Sequence, residues 1–190
     1  WLVPPYRAMT DARAVTAVRA IALDAACLRR RGEAAPAIGY ALFSREGRVF
    51  LGKRAHKGVV PKYSWQMPQG GVDPGENPRD AAGRELYEET GVRSVSLLGE
   101  IEGWLHYDLP KEIAAWRGRY RGQAQRWYAF RFEGEEGEID VLNPPDGHSV
   151  EFSRWKWEAL EKTPQVVVPF KRAVYEHVVS AFSRFAVPER

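Results

Sequence analysis

Apolar residues recur at helical spacing near both ends of the chain. In the N-terminal segment they favour one amphipathic helix over about residues 11–30, at Ala14, Val18, Ile21, Ala25 and Leu28. Near the C-terminus they predict a helix over 169–185, with a stripe of Val174, Val178, Phe182 and Phe185 that we expect to pack in a core. We therefore interpret residues 1–35 as an N-terminal extension, one amphipathic helix plus a linker, and 36–190 as the main domain.

The central part of the chain contains short apolar segments, separated by turn residues, that are typical of strands. Segments 37–43 and 48–53 flank the turn 44–47 and predict a hairpin, and further strands are expected at 94–105, 125–132 and 152–157. The acidic run 133–140 is expected to form a solvated turn rather than a metal site. Strands mixed with helices on both sides predict the α/β class, as an α/β/α sandwich with a mixed β-sheet.

The run 70–92 predicts a glycine-rich loop that leads into a short helix. Asn77 is a good N-cap, Pro78 suits the first helical position, and Gly91 stands where a left-handed residue would end the helix. Within that helix Glu85, Glu88 and Glu89 share one face, because they are three or four residues apart.

Three carboxylates on one helical face repel one another unless something neutralises them. Each like-charge pair at this spacing costs an isolated helix roughly 0.2–0.5 kcal/mol, and Arg84 is the only nearby base. A solvated acidic face is the alternative interpretation, but a bound cation explains the arrangement more simply. Three hard oxygen ligands suit Mg²⁺ or Mn²⁺, which bind through a few carboxylates and substrate phosphates.

The amino-acid composition limits the class of protein and the cellular compartment that we expect. The chain has 190 residues, 44% of them hydrophobic and 28% charged, which is typical of one globular domain. Its single cysteine, Cys27, excludes an internal disulfide and suits a reducing compartment. The apolar run 14–28 is interrupted by Arg19 and Asp24, so we expect neither a membrane span nor a signal peptide. These features predict a cytoplasmic protein, with an organelle transit peptide as the alternative for the Arg-rich N-terminus.

The net charge is only +3, but the basic residues are clustered. Three clusters suggest a polyanionic substrate, since Lys and Arg bind phosphates well: Lys53, Arg54, His56, Lys57 and Lys62; Arg117, Arg119, Arg121 and Arg126; Lys171 and Arg172. Ordinary solubilising charge is the alternative.

The run 70–92 resembles the signature of the Nudix hydrolase family at every defined position. That signature is a glycine, five residues, Glu, seven residues, then Arg-Glu-aliphatic-x-Glu-Glu-x-Gly-aliphatic, here Gly70, Glu76, Arg84, Glu85, Leu86, Glu88, Glu89, Gly91 and Val92. The resemblance implies the Nudix fold and metal-dependent hydrolysis of phosphoanhydride bonds. It implies metal ligands at Glu85, Glu88 and Glu89, with the backbone of Gly70, and an ion pair between Glu76 and Arg84 that braces the loop against the helix.

Motifs outside this run narrow the resemblance to one subgroup. Segments 65–71, 104–110, 122–127, 151–157 and 168–175 follow in the order found in bacterial RNA pyrophosphohydrolases and in plant-type diadenosine tetraphosphate hydrolases. This resemblance implies that Glu151 is a remote carboxylate that binds metal or acts as base. It further implies that Arg54 and Phe170 enclose a nucleobase, and that phosphates or the first nucleotides are contacted by Ser64, Tyr107, Gln123 and Lys171.

Two departures concern the substrate contacts and not the metal centre. Bacterial RNA enzymes usually carry Tyr-Arg-Pro before the first strand, where this chain has residues 33–36, Glu-Ala-Ala-Pro. The loop between Arg54 and Ser64 is also longer than in the best-known relatives.

The resemblance predicts an enzyme that removes pyrophosphate from the 5′-triphosphate end of RNA, leaving a 5′-monophosphate that promotes decay. Hydrolysis of diadenosine tetraphosphate or similar dinucleoside polyphosphates is the alternative, and a non-catalytic Nudix binding module is a remote one. The expected cofactor is a divalent metal, Mg²⁺, with Mn²⁺ or Zn²⁺ as alternatives. The expected partners are RNA 5′ ends or dinucleoside polyphosphates, with no membrane and no obligate protein partner.

Overall fold

A computed structural model describes residues 34–55, 61–110 and 121–189. The helix expected over 11–30 lies outside the described residues. Within them the strands are β1 (Ala34–Phe43), β2 (Val49–Arg54), β3 (Trp65–Gln66), β4 (Gln69–Gly71), β5 (Val95–Asp108), β6 (Gly122–Phe132) and β7 (Phe152–Glu158). The helices are α1 (Pro78–Thr90), α2 (Thr163–Val166) and α3 (Arg172–Phe182), joined by short 3₁₀ turns.

The strands form one mixed sheet in the order β3-β2-β1-β6-β5, with β4 added to β1 and β7 added to β2. β1 and β6 are parallel over their whole paired length, from Ala34–Gly122 to Phe43–Arg131, whereas the other pairs are antiparallel. Helix α1 packs on one face of the sheet through Ala81, Ala82 and Leu86. Helix α3 packs on the opposite face, so the predicted α/β/α sandwich is confirmed.

Several element bounds differ from the expected ones. β1 begins at Ala34, before the domain boundary expected at Pro36, because its parallel pairing with β6 starts there. β5 continues to Asp108 and β6 starts at Gly122, since Tyr107 pairs with Gln123 and Asp108 with Gly122. Residues 106–108 are therefore strand as well, beyond the end at residue 105 that the sequence predicts.

The C-terminal helix is shorter than expected. The range 169–185 contains a 3₁₀ turn, then α3, then a second 3₁₀ turn over Ser183–Phe185. Val174, Val178 and Phe182 are buried in the core, as predicted. Phe185 is only half-buried and packs against the rings of Phe43 and Phe182, at centroid distances of 6.3 and 5.9 Å.

The acidic run 133–140 forms a turn, as expected, but four of its carboxylates, those of Glu133, Glu136, Glu138 and Asp140, accept hydrogen bonds from protein groups. Glu138 Oε1 accepts hydrogen bonds from the backbone N–H groups of Arg93 and Ser94, at 2.6 and 2.9 Å. Glu136 accepts one from the indole of Trp157, at 2.7 Å. The run therefore fastens the start of β5 and the end of β7 rather than lying freely in solvent.

Candidate active site

Local sequence places the three glutamates on one side of α1. The Asn77 side chain accepts the backbone N–H of Arg79 at 2.9 Å, and Gly91 ends the helix at φ 75°, so both predicted caps are confirmed. The apolar side of the helix is buried against the sheet. The side bearing Glu85, Glu88 and Glu89 therefore faces the loop that contains Gly70.

Gly70 has a steric reason to be glycine. A Cβ atom at this position would overlap the carboxyl group of Glu85. The Glu85 carboxylate also accepts the backbone N–H of Gly71 at 3.0 Å. The loop backbone and the first glutamate of the cluster are thus in direct contact, an approach that only a residue without a side chain permits.

Arg84 links the loop to the acidic side of the helix. Its guanidinium donates to both Glu76 oxygens, at 2.8 and 2.9 Å, and to the carbonyl oxygen of Gly71 at 3.1 Å. The same side chain also reaches Glu85 and Glu88, at 3.0 and 3.1 Å. The ion pair expected from the resemblance is present, and its hydrogen bonds lower the pKa of Glu76.

Glu89 is held from beneath by a tyrosine of β1. Tyr40 is fully buried, and its hydroxyl donates to Glu89 Oε2 at 2.8 Å. Burial raises the pKa of Glu89 well above its ordinary value, and the negative charges of Glu85 and Glu151 raise it further, while the bond from Tyr40 opposes them. The pKa of Glu85 is raised as well, chiefly by burial, with Arg84 acting in the opposite direction.

The donor set fits a divalent metal, although it is not arranged as a finished site. Among the described residues, no three His, Cys, Asp or Glu side chains form a group ready to hold an ion. Arg84 lies against Glu85 and Glu88. Carboxylates whose ionised forms are disfavoured by burial and mutual repulsion gain from a nearby cation. Oxygen donors alone suit a hard divalent ion.

These carboxylates line a cleft of about 540 Å³. Of the thirteen residues singled out from the sequence, ten line the cleft: Arg54, Gly70, Glu85, Glu88, Glu89, Tyr107, Gln123, Glu151, Phe170 and Lys171. Glu76 and Arg84 lie behind the wall, which agrees with a bracing position. Ser64 does not line the cleft; it is buried, and its carbonyl oxygen accepts the backbone N–H of Arg54 at 2.9 Å.

The wall opposite α1 carries aromatic and amide groups. The rings of Tyr107 and Phe170 lie 5.6 Å apart, and the Lys171 ammonium lies 5.3 Å from the Tyr107 ring centroid. Lys171 is only 9% exposed and donates to Gln69 Oε1 at 2.6 Å. A flat π-system beside a buried cation suits a nucleobase or a phosphate group.

Several cleft groups escaped the sequence analysis. Gln69 and His148 line the cleft, with His148 Nδ1 3.7 Å from Glu88 Oε2, and Tyr40 lies beneath it. Gln69 belongs to the motif 65–71, which gave a signal for it. Tyr40 lies within an apolar strand and His148 within a loop, so neither position had a pattern that singled it out.

Comparison with known proteins matches residues 33–178 to the NUDIX domain. The chain belongs to the NUDIX family. It is therefore an enzyme of the pyrophosphohydrolase class, and enzymes of this family use divalent metal ions.

Curated relatives share this domain at high identity. The chain is 56% identical over 156 residues to an RNA pyrophosphohydrolase of Azorhizobium caulinodans, covering 80% of this chain and 93% of that protein. It is 55% identical over 153 residues to an RNA pyrophosphohydrolase of Rhodopseudomonas palustris, covering 78% of this chain and 87% of that protein.

Solved structures support the fold. A C. elegans Ap4A hydrolase binary complex aligns with a TM-score of 0.54 at 21% identity, covering 78% of this chain and 98% of that one. The E. coli dihydroneopterin triphosphate pyrophosphohydrolase aligns with a TM-score of 0.55 at 17% identity, covering 78% and 99%. At these identities the likeness concerns the fold alone. No helix in the described ranges has the length and apolar character needed to cross a membrane.

Proposed function

We propose that this protein removes pyrophosphate from the 5′-triphosphate end of RNA and leaves a 5′-monophosphate end. The observation that carries the proposal is the pairing, in one cleft, of an acidic cluster with an aromatic and cationic wall. The acidic cluster suits phosphoanhydride hydrolysis, and the opposite wall suits a nucleotide. Relatives above 50% identity that the chain covers almost completely are named RNA pyrophosphohydrolases.

The metal proposed for this cleft is Mg²⁺, held by the carboxylates of Glu85, Glu88, Glu89 and Glu151 and by the backbone of Gly70. When bound, the metal would neutralise the negative charge of the phosphates and lower the pKa of a bound water molecule. Tyr40 fixes one oxygen of Glu89, and Arg84 with Glu76 fixes the loop. These contacts keep the donor atoms in place before the substrate arrives.

The remaining cleft residues bind and orient the substrate. Arg54 and Lys171 bring positive charge to a cleft that four glutamates also line, so they favour a polyanion at their end. Phe170, with Arg54, would receive a base, and Tyr107 and Gln123 the adjoining phosphates or sugar. This arrangement holds the triphosphate across the cleft with its anhydride bonds toward α1.

The reaction consumes one water molecule. Its oxygen forms a new bond to phosphorus, the phosphoanhydride bond breaks, and pyrophosphate leaves with the bridging electrons. A cleft carboxylate accepts the proton from the water, and Glu151 is the candidate because it immediately precedes β7, whereas the other three cleft glutamates belong to α1. An RNA substrate also agrees with a cytoplasmic location, which we include in the proposal.

A competition assay tests the proposal. 5′-Triphosphorylated RNA and diadenosine tetraphosphate are mixed in equal amounts with the protein and Mg²⁺, and both sets of products are followed. We expect pyrophosphate and 5′-monophosphate RNA to form while the dinucleotide is largely spared. Preferential cleavage of the dinucleotide would overturn the RNA proposal. A Glu88→Gln variant in parallel shows whether the activity belongs to this cleft.

A further inference from the structure

A chain of buried hydrogen bonds lies behind the aromatic wall, on the α3 side of the sheet. Gln123, Gln125 and Trp127 alternate along β6 and therefore share one face of the sheet. Gln125 and Trp127 are fully buried, and neither lines the cleft. The reaction proposed above gives them no part.

Trp127 fixes the direction of the hydrogen bonds in this network, because its indole N–H can only donate. It donates to Gln125 Oε1 at 3.1 Å. The Gln125 amide nitrogen must then point the other way, and it donates to Gln69 Oε1 at 2.9 Å and to Gln123 Oε1 at 3.2 Å. Both acceptor oxygens belong to residues that line the cleft.

Lys171, at the other end of this hydrogen-bond network, requires the same orientation of the amide groups. The Lys171 ammonium has no acceptor atom, so its 2.6 Å bond to Gln69 also requires the Gln69 oxygen to accept. The Gln69 nitrogen then donates to the Tyr175 hydroxyl at 3.1 Å, and Tyr175 also accepts the backbone N–H of Met67 at 2.9 Å. Two obligate donors, at separate ends, thus fix every amide in one orientation.

Gln123 is the residue through which this fixed orientation reaches the cleft. Its oxygen is already engaged by Gln125 and by the Tyr107 hydroxyl. Its amide nitrogen, in the ranges 34–55, 61–110 and 121–189, donates to no protein acceptor. Because Gln123 is partly exposed in the cleft wall, this nitrogen is a donor offered to a ligand.

The indole is itself held in place by the sheet. Gly39 lies beside Trp127 on β1, and a Cβ atom there would come within 2.6 Å of the indole ring. The edge of the indole also contacts the ring of Tyr175, at a centroid distance of 5.7 Å. A fully satisfied buried network of this kind is rigid, because each amide would lose hydrogen bonds on turning over.

We propose that Gln125, oriented by Trp127, is a positioning residue that makes the nucleotide end of the cleft selective for an oxygen acceptor. Gln125 touches no substrate; it holds Gln123 and Gln69 with their oxygens inward, so that Gln123 offers N–H and Lys171 offers its ammonium. The matching ligand group is a phosphate oxygen or a keto oxygen of the base, and an amino group is disfavoured there. This inference deepens the proposed function and rests on it for the nature of the substrate.

Two variants test the inference. Gln125→Glu keeps the shape of the side chain but replaces the donating nitrogen by an acceptor, and Gln125→Met removes the donors without burying a charge. We expect KM for 5′-triphosphorylated RNA to rise about tenfold in Gln125→Glu and less in Gln125→Met, as for a lost hydrogen bond. The value of kcat should change less than about threefold, because the acidic cluster is untouched. Glu102→Gln, an exposed exchange on β5, is the matched control.

A binding measurement separates this inference from the proposed function. The Kd of 3′-labelled triphosphorylated RNA is measured by fluorescence anisotropy without divalent metal, so it does not depend on turnover. If the wild-type protein cleaves diadenosine tetraphosphate instead of RNA, the same variants are compared on that dinucleotide. The expected rise in KM or Kd then still supports the inference although the RNA proposal has failed.

Inhibition by tripolyphosphate shows whether the ligand's acceptor is a phosphate oxygen or a keto oxygen of the base. If the acceptor is a phosphate oxygen, Gln125→Glu weakens tripolyphosphate inhibition as much as RNA binding. If it is a keto oxygen, tripolyphosphate is unaffected and the loss depends on the 5′ base. A folded Gln125→Glu with wild-type KM and Kd would overturn the inference. Should that variant not fold, a folded Gln125→Met with wild-type values overturns it equally.

Discussion

The wall of the cleft formed by α1 carries charged groups, whereas the wall formed by β5, β6 and the 3₁₀ turn before α3 carries neutral amides, hydroxyls and rings around one lysine. On the first wall two of the three α1 glutamates, Glu85 and Glu88, contact Arg84, which lies behind the wall, and the third, Glu89, accepts a hydrogen bond from a neutral donor, Tyr40. On the second, Gln125 holds two cleft glutamines through hydrogen bonds alone. The difference indicates a division of labour, in which the charged wall determines turnover and the neutral wall determines substrate affinity.

The two walls meet at Gln69. Its backbone amide lowers the pKa of Glu89 on the charged wall, and its side chain belongs to the neutral network. β4 carries Gln69 beside β1, so the same short strand positions a metal-ligand candidate and a substrate-wall amide. The proposed division of labour can therefore be tested by variants that disturb one wall at a time.

The largest expected effect is on the charged wall. Glu88→Gln removes one carboxylate charge from the cleft while preserving its shape, and we expect kcat to fall at least about 10²–10³-fold. KM should change little, since Glu88 does not belong to the neutral wall. The measurement is steady-state kinetics with Mg²⁺, with circular dichroism to verify the fold. Glu176→Gln, an exposed exchange on α3, should retain full activity; a fully active Glu88→Gln would contradict the metal-site assignment.

Arg84→Lys tests the brace rather than a ligand. Lysine keeps the charge but cannot reproduce the two-pronged bond to Glu76 or reach Gly71, Glu85 and Glu88 at once. We expect kcat to fall roughly 10–100-fold, the usual loss for a residue that orients metal ligands. The half-saturating Mg²⁺ concentration should rise in parallel. An unchanged metal requirement would show that the brace serves the fold and not the metal.

Phe170→Ala is the counterpart on the neutral wall. It removes the ring that faces Tyr107, and loss of base stacking costs about 1–3 kcal/mol, so KM should rise about tenfold. We expect kcat to be spared, which is the opposite pattern from Glu88→Gln. Phe170→Trp keeps a stacking face and should remain close to the wild type. A fall in kcat alone would contradict the division between the walls.

How far each wall could be predicted follows from where its residues stand in the sequence. The charged wall occupies the run 70–92, in which the caps at Asn77 and Gly91 and the spacing of the glutamates are readable without tertiary information. The neutral wall is assembled from β4, β5, β6 and the 3₁₀ turn before α3, so its residues are far apart in the chain. Gln125 and Trp127 have ordinary strand positions, and only the parallel pairing of β1 with β6 makes them neighbours of Gln69.

The metal-site residues also show what sequence spacing can and cannot predict. Spacing indicated three glutamates on one face, and the structure brings them to one cleft with Glu151. The sequence spacing could not indicate that Tyr40 lies beneath Glu89, because a tyrosine in an apolar strand resembles any other core residue. Ser64 is a position assigned from the family resemblance whose residue does not line the cleft.

Tyr40→Phe therefore tests a contact that only tertiary structure revealed. It leaves the buried Glu89 carboxylate without its hydroxyl donor, and we expect a loss of about 1–3 kcal/mol in the free energy of unfolding. Affinity for Mg²⁺, measured by isothermal titration calorimetry, should fall about tenfold. Tyr128→Phe, on the same face of the sheet, is the control for removing a hydroxyl. Equal effects of both variants would mean that the Tyr40 hydroxyl has no particular role toward Glu89.

The smallest effect concerns the pH dependence of the brace. Arg84 lowers the pKa of Glu76 below its ordinary 4.5, so the ion pair stabilises the folded state fully above about pH 4.5. That contribution is lost as the pH falls through the lowered pKa, because the folded state must then protonate Glu76. The wild type should exceed Glu76→Gln in unfolding free energy by about 0.5–1 kcal/mol at pH 7. Denaturant titrations at pH 7 and below pH 4 should show this advantage shrinking with acidification, with the exposed exchange Glu161→Gln measured in parallel as the control. An advantage that persisted unchanged in acid would mean that Glu76 braces the loop through its shape and not through its charge.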